Sequence, residues 1–362
     1  MQSREKFLEV SQEFINKVPG AYAEAITIPT KTSAHLTTDT LYLPQQGKQT
    51  HLLIVTSGIH GVEAFTGAAI QMEFLTKNFK PEWLQKTGIL IVHAVNPYGF
   101  HFQRRVDEDN VDLNRNMSAD ERLFERKSAD YQSFEPFLNP TKPRSAGFMS
   151  DAFLFIKSLV KLFTVGRNKI AQISVGGQYQ NPKGIYYGGQ QNQPNSELIK
   201  KLFKKVGAPY SKVYHVDLHT GYGERGVLHF FSSSKVAQIS GFENIFDGYK
   251  IDLASDKDFY ETSGDFVRFS FETFADKELI LPMTFEFGTM DSQTIMGGFL
   301  SLRNMIYENQ GHHWGYSSPQ AERTVKKDFM NMFNPEDQQW RDQVLKNGTE
   351  TLVTTLERFS KI

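Results

Sequence analysis

The sequence contains no cysteine. Disulfide frameworks, thiolate metal sites and cysteine nucleophiles are excluded on that ground alone. The absence assigns no compartment, because a disulfide-free chain survives in either redox environment. Long apolar runs are lacking as well: none approaches the roughly 20 residues of a transmembrane helix. No apolar segment follows Met1-Gln2-Ser3-Arg4-Glu5-Lys6-Phe7 as a signal peptide requires, so the expectation is a soluble, cytoplasmic protein. Charge of one sign is missing too. The 40 basic and 41 acidic residues give a formal net charge of -1, and there is no long basic run, so nucleic-acid and membrane-surface binding have no compositional support. Repeats, low-complexity segments and a linker are also absent. A length of 362 residues would suit two domains of about 150 residues each, but without a linker residues 1–362 read as one domain.

What is present favours a rigid folded body. Hydrophobic residues make up 39 % of the chain and aromatic residues 13 %, including 30 Phe. Phe7, Leu8, Phe14, Ile15 and Val18 recur at helical spacing, which predicts an N-terminal amphipathic helix ended near Pro19-Gly20. Leu41–Leu43, His51–Thr56, Gly88–Val95, Val213–Leu218, Gly226–Phe231 and Leu279–Phe287 read as strands. Val62–Phe79 reads as a helix with Phe65, Ala69, Met72 and Leu75 on one face. Near-continuous apolar strands separated by helices predict an α/β fold with a mixed, mostly parallel central sheet and helices on both faces. Between about 120 and 190 the pattern loosens into a loop-rich excursion, with a helix at Phe148–Phe163, and long loops of this kind often border a cleft. Helices are expected again at Ser196–Val206 and from Pro319 onward.

Chemistry concentrates at the strand ends. Gly58-Ile59-His60-Gly61-Val62-Glu63 follows the apolar run Leu52–Val55, and a His and a Glu three residues apart on such a turn can reach one metal ion. Zinc takes imidazole nitrogen and carboxylate oxygen at about 2.0–2.2 Å, and a catalytic site needs a third protein ligand while keeping one position open. The 10 His must supply it. His219, in Asp217-Leu218-His219-Thr220-Gly221, ends another apolar strand, where open α/β sheets bind their ligands. His93 and His215 lie inside strands and read as hydrogen-bonded core residues. His35, His51 and His229 have no acidic partner at metal spacing, and His312-His313 reads as a surface pair in a Gly-flanked loop. Glu286, in Thr284-Phe285-Glu286-Phe287-Gly288, is an acid among apolar neighbours. Burial would raise its pKa towards that of a general base, whereas strand alternation also allows it to face water. The charged run Arg104–Asn116 follows another strand and the turn Asn96-Pro97-Tyr98-Gly99-Phe100. An arginine fork there suits a carboxylate or a developing oxyanion.

These five anchors, His60-Gly-Val-Glu63, Asn96-Pro-Tyr-Gly-Phe100, Val111-Asp-Leu-Asn-Arg-Asn116, Asp217-Leu-His219 and Thr284-Phe-Glu286, occur in the order found in zinc carboxypeptidases of the carboxypeptidase A type. The chain resembles an uncharacterised bacterial branch of that family over roughly residues 40 to 300. The resemblance implies one zinc ion held by His60, Glu63 and His219, acting as a Lewis acid on the scissile carbonyl and on water. It implies Glu286 as the general base, Arg105 (with Arg104 as its rival) as the group that polarises the carbonyl, and Asn114 and Arg115 as the grip on a substrate carboxylate. Three departures stand out. No motif fixes the substrate-capping tyrosine, for which Tyr260 is the nearest candidate. The Glu63-to-His219 interval is long. Asn96 also replaces the more usual aspartate of its turn.

The implied activity is zinc-dependent cleavage of a C-terminal peptide or amide bond. A second reading on a similar scaffold is an N-acyl amino acid amidohydrolase, similar to aspartoacylase and succinylglutamate desuccinylase. The substrate in either case is a peptide or N-acyl amino acid with a free carboxylate. A non-catalytic binding protein is the third reading, and it has no need of Glu286.

Overall fold

Alternation along the central strands organises the molecule. The computed structural model describes residues 2–118, 120–233, 235, 236, 239, 241–253 and 262–362. Its strands are β1 (Tyr22–Thr27), β2 (Thr37–Leu43), β3 (His51–Ser57), β4 (Thr87–His93), β5 (Lys212–Gly221), β6 (Leu228–Ser232), β7 (Ile251–Leu253) and β8 (Leu279–Gly288). They form one sheet in the order β1-β2-β4-β3-β5-β8-β6-β7. The block β4-β3-β5-β8 is parallel, and antiparallel pairing joins β2 and β6 to its two sides. The mixed, mostly parallel sheet expected from the sequence is the one that forms.

The helices are α1 (Gln2–Lys17), α2 (Ala64–Glu73), α3 (Pro97–Phe102), α4 (Ala129–Leu138), α5 (Phe148–Val165), α6 (Arg167–Val175), α7 (Pro194–Gly207), α8 (Phe242–Ile245), α9 (Phe266–Thr273), α10 (Ile295–Trp314), α11 (Pro319–Phe333) and α12 (Gln338–Phe359). Successive strand residues point to opposite faces. Leu53, Val55, Ile89 and Ile91 therefore pack with Phe7 of α1, Ile70 of α2 and Leu352 of α12. Leu52, Ile54, Leu90 and Val92 pack with Leu202 and Phe203 of α7 and Phe266 of α9. Each such side chain, fully buried, contributes about 1.5–3 kcal/mol, so both faces hold the central strands firmly. That rigidity reaches the strand ends where the site residues stand.

Several expectations change. The helix read at Val62–Phe79 is three pieces: a 3-10 turn at Gly61–Glu63, α2, and a π turn at Phe74–Asn78. Its inward face is Ile70, Gln71 and Phe74, while Ala69 is exposed. The loop-rich excursion carries α4, α5 and α6. His312 and His313 occupy the last turn of α10, not a loop, because Gly311 lies inside that helix beneath the Tyr316 ring, where a Cβ would sit 2.1 Å from it. No helix among the described residues is long and apolar enough to cross a membrane.

Candidate metal centre

The parallel register brings three strand ends together. Along β5 and β8, His219 pairs directly with Glu286, and Ser57 at the end of β3 pairs with Leu218. After β3 the chain must turn at once to deliver His60 and Glu63. Gly58 takes φ +70°, a left-handed conformation that favours glycine. Gly61 packs so closely on the Gly99–Phe100 backbone that a Cβ would lie 2.1 Å from the Gly99 carbonyl carbon. The amides of Gly61 and Val62 donate to the carbonyls of Arg105 (3.1 Å) and Arg104 (2.9 Å). Asn96 secures that partner segment: its Oδ1 accepts from Gly99 N at 2.9 Å and its Nδ2 donates to Arg105 O at 3.3 Å. An aspartate could accept but not donate, which accounts for asparagine at this turn.

His60, Glu63 and His219 are all buried, and one ligand atom from each lies within 4.8 Å of the others. Glu63 joins the two rings, its Oε1 lying 2.8 Å from His60 Nδ1 and its Oε2 3.0 Å from His219 Nδ1. The far nitrogens face aspartates: His219 Nε2 is 2.5 Å from Asp217 Oδ2, and His60 Nε2 is 3.2 Å from Asp112 Oδ1. Imidazoles that hold a metal ordinarily give their other N–H to a carboxylate, which fixes the tautomer. His60 has two tautomers open to it. One donates from Nε2 to Asp112 and frees Nδ1 for an ion; the other accepts at Nε2 from Arg105 Nη2 at 2.7 Å. Two imidazoles and a carboxylate, without sulfur, form a donor set that fits zinc.

The electrostatics follow from burial and pairing. Burial disfavours the charged form of His219, yet Asp217 and Glu63 hold it well above the usual imidazole value. Burial likewise opposes ionisation of Glu63, but His60 and His219 push it below the carboxylate range. Glu286 goes the other way. Burial first, and then the Glu63 charge, push it up to about 8. It lies on an interior strand and accepts from Tyr222 N at 2.9 Å, so the water-facing alternative does not hold.

Asn114, Arg105 and Arg115 line the same cavity as these four residues. Arg105 donates to Asp112 Oδ2 (3.0 Å) and approaches Glu63 Oε1 (3.4 Å), with the Tyr186 ring 5.1 Å away. Arg104 turns aside into a buried pair with Glu308 at 2.8 and 3.3 Å. Arg115 donates to the Val175 carbonyl (3.1 and 2.8 Å) and to its neighbour Asn114's carbonyl (2.6 Å). Among the described residues no carboxylate pairs with it. Tyr260 lies outside the described residues. His93 and His215 are buried and hydrogen-bonded to Ser57, Thr56 and Ser270. Two supporting residues were not assigned a role from the sequence, Asp112 and Asp217. The signal for Asp217 is its i, i+2 relation to His219, which puts both on one face of β5.

Several solved structures are similar in fold. A metallo-carboxypeptidase from Pseudomonas aeruginosa shares 12 % identity over 96 % of this chain and 69 % of its own, with a TM-score of 0.42. Carboxypeptidase A from Helicoverpa armigera shares 13 % over 89 % and 71 %, with a TM-score of 0.45. A murein-tripeptide amidase from Escherichia coli O157 shares 14 % over 81 % and 92 %, with a TM-score of 0.39. No curated protein matches the sequence. Residues 1–347 match one protein family, described as "Protein of unknown function (DUF2817)", and the chain belongs to it.

Proposed function

We propose that the protein is a zinc-dependent hydrolase that cuts an amide bond near a free carboxylate, a carboxypeptidase in the broad sense. One observation carries the reading: two imidazoles and a carboxylate share one locus, each imidazole has an aspartate behind it, and Glu286 pairs with His219 on the next strand. Zinc bound to His60, Glu63 and His219 supplies Lewis acidity and lowers the pKa of a water from 15.7 towards about 7.

The remaining chemistry belongs to the chain. Glu286 takes the proton of the attacking water and later gives it to the leaving amine. Burial and the neighbouring Glu63 raise its pKa to about 8, which makes its carboxylate a stronger base than an exposed one. Arg105, pinned by Asp112, presents a fixed cationic fork to the carbonyl oxygen as negative charge builds there. Arg115 is a buried cation whose hydrogen bonds, among the described residues, all go to carbonyls. Such a group favours an anionic partner, and a substrate carboxylate provides one. Asn114 spends its Oδ1 on Phe266 N at 2.9 Å and turns its amide to the same carboxylate.

Metal analysis tests the proposal. Wild-type protein is expected to hold one zinc per chain, His60→Ala to lose it, and Glu286→Gln to keep it without hydrolysis. Wild-type protein that takes up no zinc sinks the idea. Release of a C-terminal residue from peptides supports a carboxypeptidase, and preferential cleavage of N-acyl amino acids supports an amidohydrolase. The apolar residues that α5 and α10 contribute to the cavity lining, Phe155, Leu159, Leu162, Phe299 and Leu302, favour the second reading.

A further inference from the structure

The cavity in front of Glu286 encloses about 1570 Å³, more than the roughly 300–1,000 Å³ of most small-ligand sites. Its walls differ in chemistry. On the side of β6 and α9 the lining is mixed, with Ser233, Asp265 and Arg268 beside Phe231, Val267 and Phe271. On the side of α5 and α10 the lining includes Phe155, Leu159, Leu162, Ile295, Phe299 and Leu302. Two hydroxyls on that side are spent on nearby backbone, Ser158 donating to Leu154 O at 2.9 Å and Thr294 to Asp291 O at 2.8 Å, while Ser301 Oγ has no hydrogen-bond partner among the described residues. Helix backbone groups are satisfied within the helix, so an extended peptide lying on this wall finds few partners for its own N–H and C=O groups. A hydrocarbon chain needs none.

The apolar surface continues past the rim. Met149, Phe153, Ile156, Val160 and Phe163 recur along α5 at alternating spacings of four and three, and all are exposed, Phe163 by 85 %. Ile295 and Met296, at the start of α10, are exposed too. The two helices run antiparallel: Phe155 packs edge-on against Phe299, and Asp151 binds Arg303 and Tyr307. That register brings Ile295 towards the Leu159–Phe163 turn. An exposed apolar patch of this kind marks a binding surface, and here it is continuous with the wall of a candidate active site.

We propose that the cavity takes N-acyl amino acids with long apolar acyl chains, the carboxylate on Arg115 and the chain along the α5–α10 wall, an inference that rests on the hydrolase reading above. Hydrolysis breaks the acyl C–N bond. The hydroxyl of water goes to the acyl carbon, giving a long-chain carboxylic acid, and its proton goes to nitrogen, giving the free amino acid.

The test is a ladder of N-acylglycines from acetyl to dodecanoyl, kept below micelle-forming concentrations. Turnover is measured with the zinc-loaded protein, and affinity by calorimetry on Glu286→Gln. Both kcat/KM and affinity are expected to rise about fourfold per methylene over at least about six methylenes. Ile295 is 60 % exposed, so Ile295→Asp spares the fold; it is expected to cut the dodecanoyl-to-acetyl ratio about tenfold. A flat ladder overturns the inference, and acetylglycine turnover in that case leaves the hydrolase reading standing. Affinity that climbs with chain length while nothing is hydrolysed keeps the acyl site and removes the hydrolase. No binding at any length overturns the inference, as does self-association of the protein through the α5 stripe.

Discussion

His215 and His219 lie four residues apart on β5, both buried, and their surroundings treat them in opposite ways. His215 meets the hydroxyls of Thr56 and Ser270 and the rings of Phe203 and Phe266, and burial pushes it down to about 4. His219 meets Asp217 and Glu63, whose charges outweigh burial and raise it well above its usual value. The contacts of His93 and His60 differ in the same way: among the described residues His93 sits between Phe7 and Phe100 with the Ser57 hydroxyl as its hydrogen-bond partner, and His60 sits between Glu63 and Asp112. Burial alone therefore does not distinguish a core histidine from a candidate metal ligand. The carboxylates do, and they act only where the strands end.

The comparison breaks most sharply by deletion. His219→Ala is expected to weaken zinc binding by on the order of 10³-fold or more, since it removes one of the three candidate ligands, while His215→Ala keeps the wild-type affinity. Competition with a zinc chelator reads both variants, and equal losses would erase the distinction between the two residues. A slightly smaller effect concerns the two core histidines and is read by pH. His93 and His215 fall from the ordinary value of 6.5 to about 4 in the folded protein. Between those values the unfolded chain binds protons that the folded chain refuses. The stability they contribute is complete above pH 6.5 and is lost as pH falls towards 4, on the order of 3 kcal/mol for each residue. Urea unfolding of the metal-free protein at pH 7 and pH 4.5 measures the loss. His93→Gln is expected to shrink it by about half; an unchanged pH dependence would contradict the assignment. Next in size, Asp217→Asn or Asp112→Asn is expected to cost 10–100-fold in zinc affinity, read by the same competition assay.

Legibility from sequence follows the same physics. β3, β4, β5 and β8 are largely buried on both faces, so each reads as a mostly apolar run, and a His or Glu at or near the end of such a run is conspicuous. β1, mostly exposed at the sheet edge, has no such run, and β7 is only three residues long. α10 escapes for a different reason. Residues Asn304 to Gly311 are buried all round, which removes the one-sided apolar period, and its glycines read as breaks. They serve close packing instead: a Cβ on Gly297 would lie 2.1 Å from Met290 O. Arg104 and Arg105 are indistinguishable as residue types; what tells them apart is Glu308, some two hundred positions away in the chain. Asp112 is hidden because it lies some fifty positions from His60 in the chain, and Asp217 because its place two residues before His219 does not say which ring nitrogen it meets.

The least effect, and the finest test, concerns Thr56, where the two environments touch. Its hydroxyl lies 2.6 Å from Asp217 Oδ1, to which it donates, and 2.9 Å from His215 Nε2. It thus joins the core histidine to the aspartate that backs His219. Thr56→Val keeps the shape and removes the hydroxyl, leaving Asp217 Oδ1 and His215 Nε2 without this partner at a cost of about 1–3 kcal/mol in stability. Asp217 Oδ2 still faces His219 Nε2, so the ring keeps its tautomer. Zinc affinity is therefore expected to fall by less than about tenfold, below the effect of Asp217→Asn, and Thr56→Ser is expected to restore most of the stability. If Thr56→Val weakens zinc as much as Asp217→Asn, the orientation of Asp217 depends on the core. His215 would then support the metal through Thr56 without ever touching it.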